Sequence, residues 1–342
     1  MNRINDIIMV NFIYGGKAMV NHDIAMGIVR VTEAAALACS NLLGRGDVDL
    51  IEKAAVDGVR HAFDLLPIKG RVVIGECDLD KKPIMYIGEK VGTWEDGLKE
   101  YDVAIDPLDG SILVAKGRPN AISAVAVSEK GKIFRAPQIY MKKMAVGPKA
   151  KGCIDLNKSL VENIKCVAEA LNKDVEEVTV MIQDRPRHKE LIEEARSVGA
   201  RVKIFGEGDI AAALATAFEE TGVDMLVGIG GAPEGVLAAA ALKCLGGEIL
   251  VKLMPENERQ IEMCKRAGLL DVEKVLSQDD LITSDDVYFA ATAITDSDLL
   301  RGIIYKENYA TTHSVVMRSS NGVLRFVDAI HKLDTSLIKV QE

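Results

Sequence analysis

From Ser159 onward the chain changes period again and again, and that rhythm narrows its fold more than any other feature. "SLVENIKCVAEALN" reads as a helix, "EVTVMIQD" as a strand, "RHKELIEEARSVG" as a helix and "ARVKIF" as a strand. "GDIAAALATAFEETG", "VDMLVGI", "APEGVLAAAALKCLG" and "GEILVKL" continue the alternation. Short apolar runs separated by helices of ten to fifteen residues indicate βαβ units and a largely parallel sheet.

The first half reads differently. "DIAMGIVRVTEAAALACSNLL" and "DLIEKAAVDGVRHAFDLL" carry apolar residues at helical spacing, one ending at "GRG" and the other before Pro67. Four apolar runs follow, "RVVIG", "IMYIG", "DVAID" and "AISAVAVS", which read as strands of one sheet. Repeats, low-complexity tracts and long linkers are missing from the sequence. The expected division is a metal- and phosphate-binding half over 22–170 and a sugar-phosphate-binding half over 171–335. The two form one continuous unit, preceded by a short extension over 1–21 rather than a signal peptide.

The chemistry concentrates where strands end. "AIDPLDGSIL" places Asp106 and Asp109 after an apolar run, around Pro107 and Leu108, with Gly110 and Ser111 next. An Asp-Gly pair between apolar runs is ordinary turn material. Two carboxylates at such a turn can also face one cation cluster, while the Gly110 and Ser111 amides point at phosphate oxygens. Glu76, Asp78 and Asp80 follow "VVI", and Glu234 opens a helix after "GIGGAP". Glu52 sits on a predicted helix, where a solvated side chain is the competing reading. Two ions roughly 4 Å apart can clamp an in-line phosphoryl displacement, which takes several carboxylates to hold. "GIGGAPEG" fits neither a dinucleotide fingerprint nor a P-loop.

"DRPRHKE" supplies Arg185, Arg187, His188 and Lys189 around Pro186. Cations at a helix start oppose its dipole, so a second phosphate bound by the arginine forks explains them better than a solvated helix end. The five histidines form no metal pattern.

Composition then excludes classes. A net charge of −9 argues against a nucleic-acid binder but not against anionic substrates held through cations. No apolar run approaches the roughly 18 residues that span a bilayer. The six cysteines are scattered without a C-x-x-C pair, which suits reduced thiols in a cytoplasmic enzyme.

The motifs in their order, among them "VTEAAALA", "GRGD", "IGE", "MYIGEKVG", "AIDPLDGS", "APQIYMKK", "VGPKAKGCIDLN", "RPRHKE", "GDIAAAL", "GIGGAPEGV", "DLLRGI" and "ATTHSVVMRS", resemble the class II fructose-1,6-bisphosphatases. These belong to the lithium-sensitive, metal-dependent phosphatase superfamily, and the similarity runs from about residue 22 to about 335. The resemblance implies an α/β sugar-phosphatase-like layered αβαβα fold with two mixed sheets between helices. It implies hydrolysis of the 1-phosphate of fructose 1,6-bisphosphate, possible use of sedoheptulose 1,7-bisphosphate, and a homodimer or homotetramer. It maps Mn²⁺ or Mg²⁺ ligands to Glu52, Glu76, Asp106, Asp109 and Glu234. Substrate contacts map to Asp109, Gly110, Ser111, Tyr140, Arg185, Pro186, Arg187, Glu207, Gly208, Asp209 and Gly231. Tyr140 and the Glu207–Asp209 turn rest on the resemblance alone.

Departures accompany it. Glu52 stands where the family usually has Asp, and Asp109 where it has Glu. Cys77 replaces a usual Gly, Ser111 a usual Thr, Arg185 a usual Lys and Glu207 a usual Asp. Every metal position keeps a carboxylate, so an active enzyme with altered metal or substrate preference is expected. Asp80, with Ser111 as hydroxyl partner and Glu76 beside it, is the candidate for orienting and deprotonating the attacking water. The alternatives are an inositol- or nucleotide-type phosphomonoesterase of the same superfamily, and a weakened sugar-phosphate-binding paralogue.

Overall fold

A computed structural model describes residues 23–75 and 85–333. The chain opens with α1 (Ile24–Ser40) and α2 (Val48–Phe63), capped by the carboxylates of Asp23 and Asp47. An acidic N-cap meets amides that have no partner within the helix. Next come β1 (Lys69–Ile74), β2 (Lys90–Val91), β3 (Glu100–Asp109), the one-turn α3 (Ser111–Ala115) and β4 (Ile122–Glu129). β1 and β3 are parallel, while β4 runs antiparallel to β3.

The alternating region follows as β5 (Tyr140–Val146), α4 (Leu160–Leu171), β6 (Thr179–Gln183), α5 (Lys189–Ser197), β7 (Arg201–Phe205) and α6 (Asp209–Ala215). It continues through β8 (Met225–Gly231), α7 (Ala232–Leu245), β9 (Glu248–Leu253), α8 (Glu258–Arg266), β10 (Leu276–Ser277) and α9 (Gln278–Leu281). The last strands, β11 (Val287–Ala293), β12 (Ile304–Lys306), β13 (Tyr309–Arg318) and β14 (Val323–Lys332), return to the first sheet. Among the described residues that sheet has eight strands, and β5 to β10 make a second sheet of six. The chain passes from the first sheet to the second after about residue 130 and returns after about residue 280.

Five layers stack as α–β–α–β–α. α1 and α2 cover one face of the large sheet, and α4 and α5 cover the outer face of the small one. α7 lies between the sheets and touches strands of both. Its sequence, APEGVLAAAALKCL, is apolar on nearly every side, as a helix buried all round must be. β4 is equally legible: seven of its eight residues are buried, because layers cover both its faces.

Three expectations need correction. "IMYIG" is not a strand within the described residues: Met85 to Gly88 bend and turn, and only Lys90–Val91 pairs with β1. Met85 carries φ +49 and its carbonyl lies against Gly75, so the backbone there cannot be extended. The six-stranded sheet is mixed, not largely parallel. β6, β7 and β8 are parallel, but β5 enters between β8 and β9 and runs antiparallel to both. α6 ends at Ala215, where Thr216 Oγ1 donates to the Ala213 carbonyl and a separate 3-10 turn follows over Glu219–Thr221.

Candidate active site

The carboxyl ends of β3, β6, β7 and β8 and the start of β5 converge on one cleft of about 440 Å³. Clefts outside the carboxyl ends of parallel strands are where α/β sheets bind ligands, and the volume suits a small substrate.

At the end of β3 the register with β4 slips. Asp106 pairs with Ala124, whereas Asp109, three residues on, pairs with Ile122, only two back. The extra residue is a β-bulge at Pro107–Leu108, and proline has no N–H to lose from the ladder there. In a regular strand two residues three apart face opposite sides; the bulge lets Asp106 and Asp109 line the same cleft. Asp106 Oδ1 accepts the Leu108 N–H at 3.0 Å. Gly110 follows at φ +98, and α3 begins at Ser111. Gly208 repeats that conformation, with φ +98 before α6, so two short helices start at the cleft behind left-handed glycines.

Asp109 is 7% exposed, and its Oδ2 accepts the Ile210 N–H at 2.9 Å. Burial holds its carboxyl well above the usual range, and the negative charges of Asp209 and Glu234 push it further. Glu234, at the start of α7, is likewise raised by burial and by Asp209. Its buried Oε2 has no hydrogen-bond partner among the described residues. A Cβ on Gly231 would lie 2.0 Å from that oxygen, so glycine makes the space. Glu52 reaches the same cleft from α2.

The facing wall is cationic. The Arg187 guanidinium stacks on the Tyr140 ring at 4.8 Å and donates from Nε and Nη2 to the Ile229 carbonyl, at 3.0 and 2.7 Å. Arg185 lies 3.4 Å from Glu207 Oε1. Buried His188 fixes the loop: its Nδ1 is 2.8 Å from the Gln183 carbonyl, and Nε2 accepts the Ile229 N–H at 2.8 Å. That pairing requires the neutral ring protonated at Nδ1, and burial lowers its pKa accordingly.

Glu52, Asp106, Asp109, Gly110, Ser111, Tyr140, Arg185, Arg187, Glu207, Gly208, Asp209, Gly231 and Glu234 thus all line one cleft, whereas Pro186, which opens the 3-10 turn Pro186–His188, does not line it. Glu76, Cys77, Asp78 and Asp80 lie outside the described residues. Residue reading overlooked Gln138, Gln183 and Lys143. Gln138 and Gln183 line the cleft, and Gln138 Nε2 donates to the Gly75 carbonyl at 2.9 Å. Lys143, with a side chain 3% exposed, pairs with Asp209 at 2.5 Å and donates to the Gly231 carbonyl at 3.2 Å. Its one sequence signal is a second lysine inside the apolar strand "YMKKMAV".

The profile of a family described as bacterial fructose-1,6-bisphosphatase, glpX-encoded, matches residues 22–331. Two curated relatives carry the name D-fructose 1,6-bisphosphatase class 2/sedoheptulose 1,7-bisphosphatase. The protein from Synechococcus elongatus is 40% identical over 91% of this chain and 96% of its own length. That from Thermosynechococcus vestitus is 39% identical over 93% of this chain and 98% of its own length. A match of this extent means that the chain belongs to the glpX-type, class II fructose-1,6-bisphosphatase family.

Proposed function

We propose that this chain hydrolyses the 1-phosphate of fructose 1,6-bisphosphate, giving fructose 6-phosphate and inorganic phosphate, and that it also accepts sedoheptulose 1,7-bisphosphate. The observation that carries the reading is the pairing of an acidic wall with an arginine wall across one cleft. A monophosphate substrate gives the second wall nothing to hold.

Divalent ions fit the acidic wall. Asp109 is buried and is repelled by the negative charge of Glu234, whose buried Oε2 has no hydrogen-bond partner among the described residues. Among the described residues no three acid, imidazole or thiol groups hold a metal ion by themselves. The ligand set therefore draws on Glu76, outside those residues, and on phosphate oxygens, as in sites that keep open positions. Glu52, Asp106, Asp109 and Glu234 are the described ligands in this proposal. Bound there, Mn²⁺ or Mg²⁺ would polarise the phosphoryl group and acidify water.

The rest falls to the protein's own groups. The Gly110 and Ser111 amides stabilise charge on the transferring phosphoryl oxygens. Arg185 and Arg187 bind the distal phosphate, with Tyr140 bracing Arg187. Glu207 and Asp209 take sugar hydroxyls, Asp209 being oriented by Lys143. Asp80 orients and deprotonates water, with Ser111 as its hydroxyl partner. The proposal carries with it a cytoplasmic homodimer or homotetramer. No helix among the described residues is long and apolar enough to cross a membrane.

Phosphate release with Mn²⁺ or Mg²⁺ tests the reading against fructose 1,6-bisphosphate, sedoheptulose 1,7-bisphosphate, inositol 1-phosphate and a nucleoside 3′-phosphate. Turnover confined to the two bisphosphates supports it. Preference for inositol phosphate or nucleotide, or binding without release, overturns it.

A further inference from the structure

β6 stays paired with β7 through its last residue, Gln183, but its ladder with β8 stops at Met181 opposite Leu226. Past that point two consecutive side chains stand in for a strand at Ile229 of β8. His188 Nε2 accepts the Ile229 N–H at 2.8 Å, and Arg187 donates to the Ile229 carbonyl from Nε at 3.0 Å and Nη2 at 2.7 Å. On the β6 side, His188 Nδ1 lies 2.8 Å from the Gln183 carbonyl, which also accepts the Arg185 N–H at 2.9 Å. The imidazole thus ties the backbone that holds Arg187 to the backbone that holds Arg185. Gly228 leaves it room, since a Cβ there would lie 3.3 Å from the ring. The ring is fully buried and does not line the cleft, so it acts on a substrate only through its neighbours.

We propose that His188 is the positioning residue of the distal-phosphate site: as a neutral ring it holds Ile229 in the pose that aims Arg187, and a proton on Nε2 undoes that pose. The inference rests on reading the arginine wall as the seat of the distal phosphate. The Gln183 carbonyl can only accept, so Nδ1 carries the ring's one proton and Nε2 accepts from Ile229. A second proton would set two donors against each other, and a buried N–H left without its acceptor is costly. Ile229 would have to turn, taking from Arg187 the carbonyl that fixes two of its donors. The charged groups facing the ring are Arg187 beside it and the Lys143–Asp209 pair, which lines a small cavity together with it. Burial, the largest influence, and the Arg187 charge lower the pKa of the ring, while the Gln183 carbonyl and Asp209 oppose them. The ring therefore holds Ile229 at neutral pH, and the hold is lost as pH falls through a value below the usual 6.5.

The test is steady-state kcat/KM for fructose 1,6-bisphosphate against fructose 1-phosphate at saturating Mn²⁺. It uses the unsubstituted full chain, His188→Gln and His188→Asn, with Tm measured alongside. Gln sets an amide oxygen near the Nε2 position and accepts from Ile229 without titrating, whereas Asn reaches only the Nδ1 position. At pH 8, His188→Asn should lose about tenfold of the preference for the bisphosphate, through KM and not kcat, while His188→Gln stays within about threefold of the unsubstituted chain. Between pH 8 and 5.5 the distal phosphate itself takes up a proton near about pH 6 in all three chains. Over that range the preference of the unsubstituted chain should fall at least about threefold further than that of His188→Gln. An unchanged preference in His188→Asn, a loss that Gln does not restore, a loss shared equally by both substrates, or parallel pH profiles for the unsubstituted chain and His188→Gln each overturn the proposal while the arginine-wall reading stands. If the unsubstituted chain does not prefer the bisphosphate at all, that reading has failed and the inference falls with it.

Discussion

The two walls of the cleft differ in how far they are satisfied without a ligand. On the arginine wall Arg187 donates to Ile229 and stacks on Tyr140, Arg185 lies beside Glu207, and His188 locks the loop from below. On the acidic wall burial and neighbouring charge hold Asp109 and Glu234 above their ordinary pKa, and one Glu234 oxygen has no partner among the described residues. One wall is preorganised to hold; the other is completed by what it binds. Affinity for the distal phosphate should therefore come from the first wall, and the chemical step from the second.

Asp106→Asn should break the contrast most severely. Losing a proposed metal carboxylate is expected to lower kcat on the order of 10³-fold with KM nearly unchanged, in steady-state phosphate release with saturating Mn²⁺. A fall in affinity alone would place Asp106 on the wrong wall.

Lys143→Met strikes the join between the walls. It leaves Asp209 partly buried without its cation, and breaking a buried pair typically costs about 3 kcal/mol. A clear fall in Tm and a raised KM for the sugar are expected, while an unchanged Tm would mean that the pair contributes nothing. Lys143→Arg should restore part of both.

Arg187→Ala is milder. Charge-assisted hydrogen bonds of about 2 kcal/mol correspond to a KM increase of roughly 30-fold for the bisphosphate, with kcat preserved. A matching fall in kcat would assign this wall a share of the chemistry.

The smallest effect lies far from the cleft and serves as a control. Glu33 is buried beneath β13, accepts from Thr312 Oγ1 at 3.0 Å, and is pushed up to about 7 by burial. A carboxyl whose folded pKa exceeds its unfolded value keeps its proton in the native state. Its contribution is full below the unfolded pKa, near 4.5, and fades as pH rises through about 7. Glu33→Gln should remove about 2 kcal/mol of that pH dependence, seen as flatter denaturation midpoints between pH 5 and 7. Identical slopes would refute the assignment.

Much of this was legible in the sequence, for physical reasons that differ by residue. "AIDPLDGS" announced carboxylates and amides together, because few other uses need both at a strand end. The bulge that turns Asp106 and Asp109 to one side was not legible, since a regular strand separates them and the slip is set by pairing with β4. β5 between β8 and β9 was equally hidden: strand order is a tertiary fact, and local period carries no trace of it. Lys143 and His188 read as ordinary polar residues until burial shows each pinning a loop or an acid. Tyr140 and the Glu207–Asp209 turn came from family resemblance, and the structure brings both to the cleft.

The division of labour between the walls is tested most directly by one thermodynamic cycle. kcat/KM is measured for fructose 1,6-bisphosphate and fructose 1-phosphate, with the unsubstituted chain and with Arg187→Ala, at saturating Mn²⁺. The expected result is non-additive: the unsubstituted chain favours the bisphosphate by roughly 30-fold, and Arg187→Ala favours it by less than about threefold. If Arg187→Ala keeps the full preference, the arginine wall does not read the distal phosphate and the division fails.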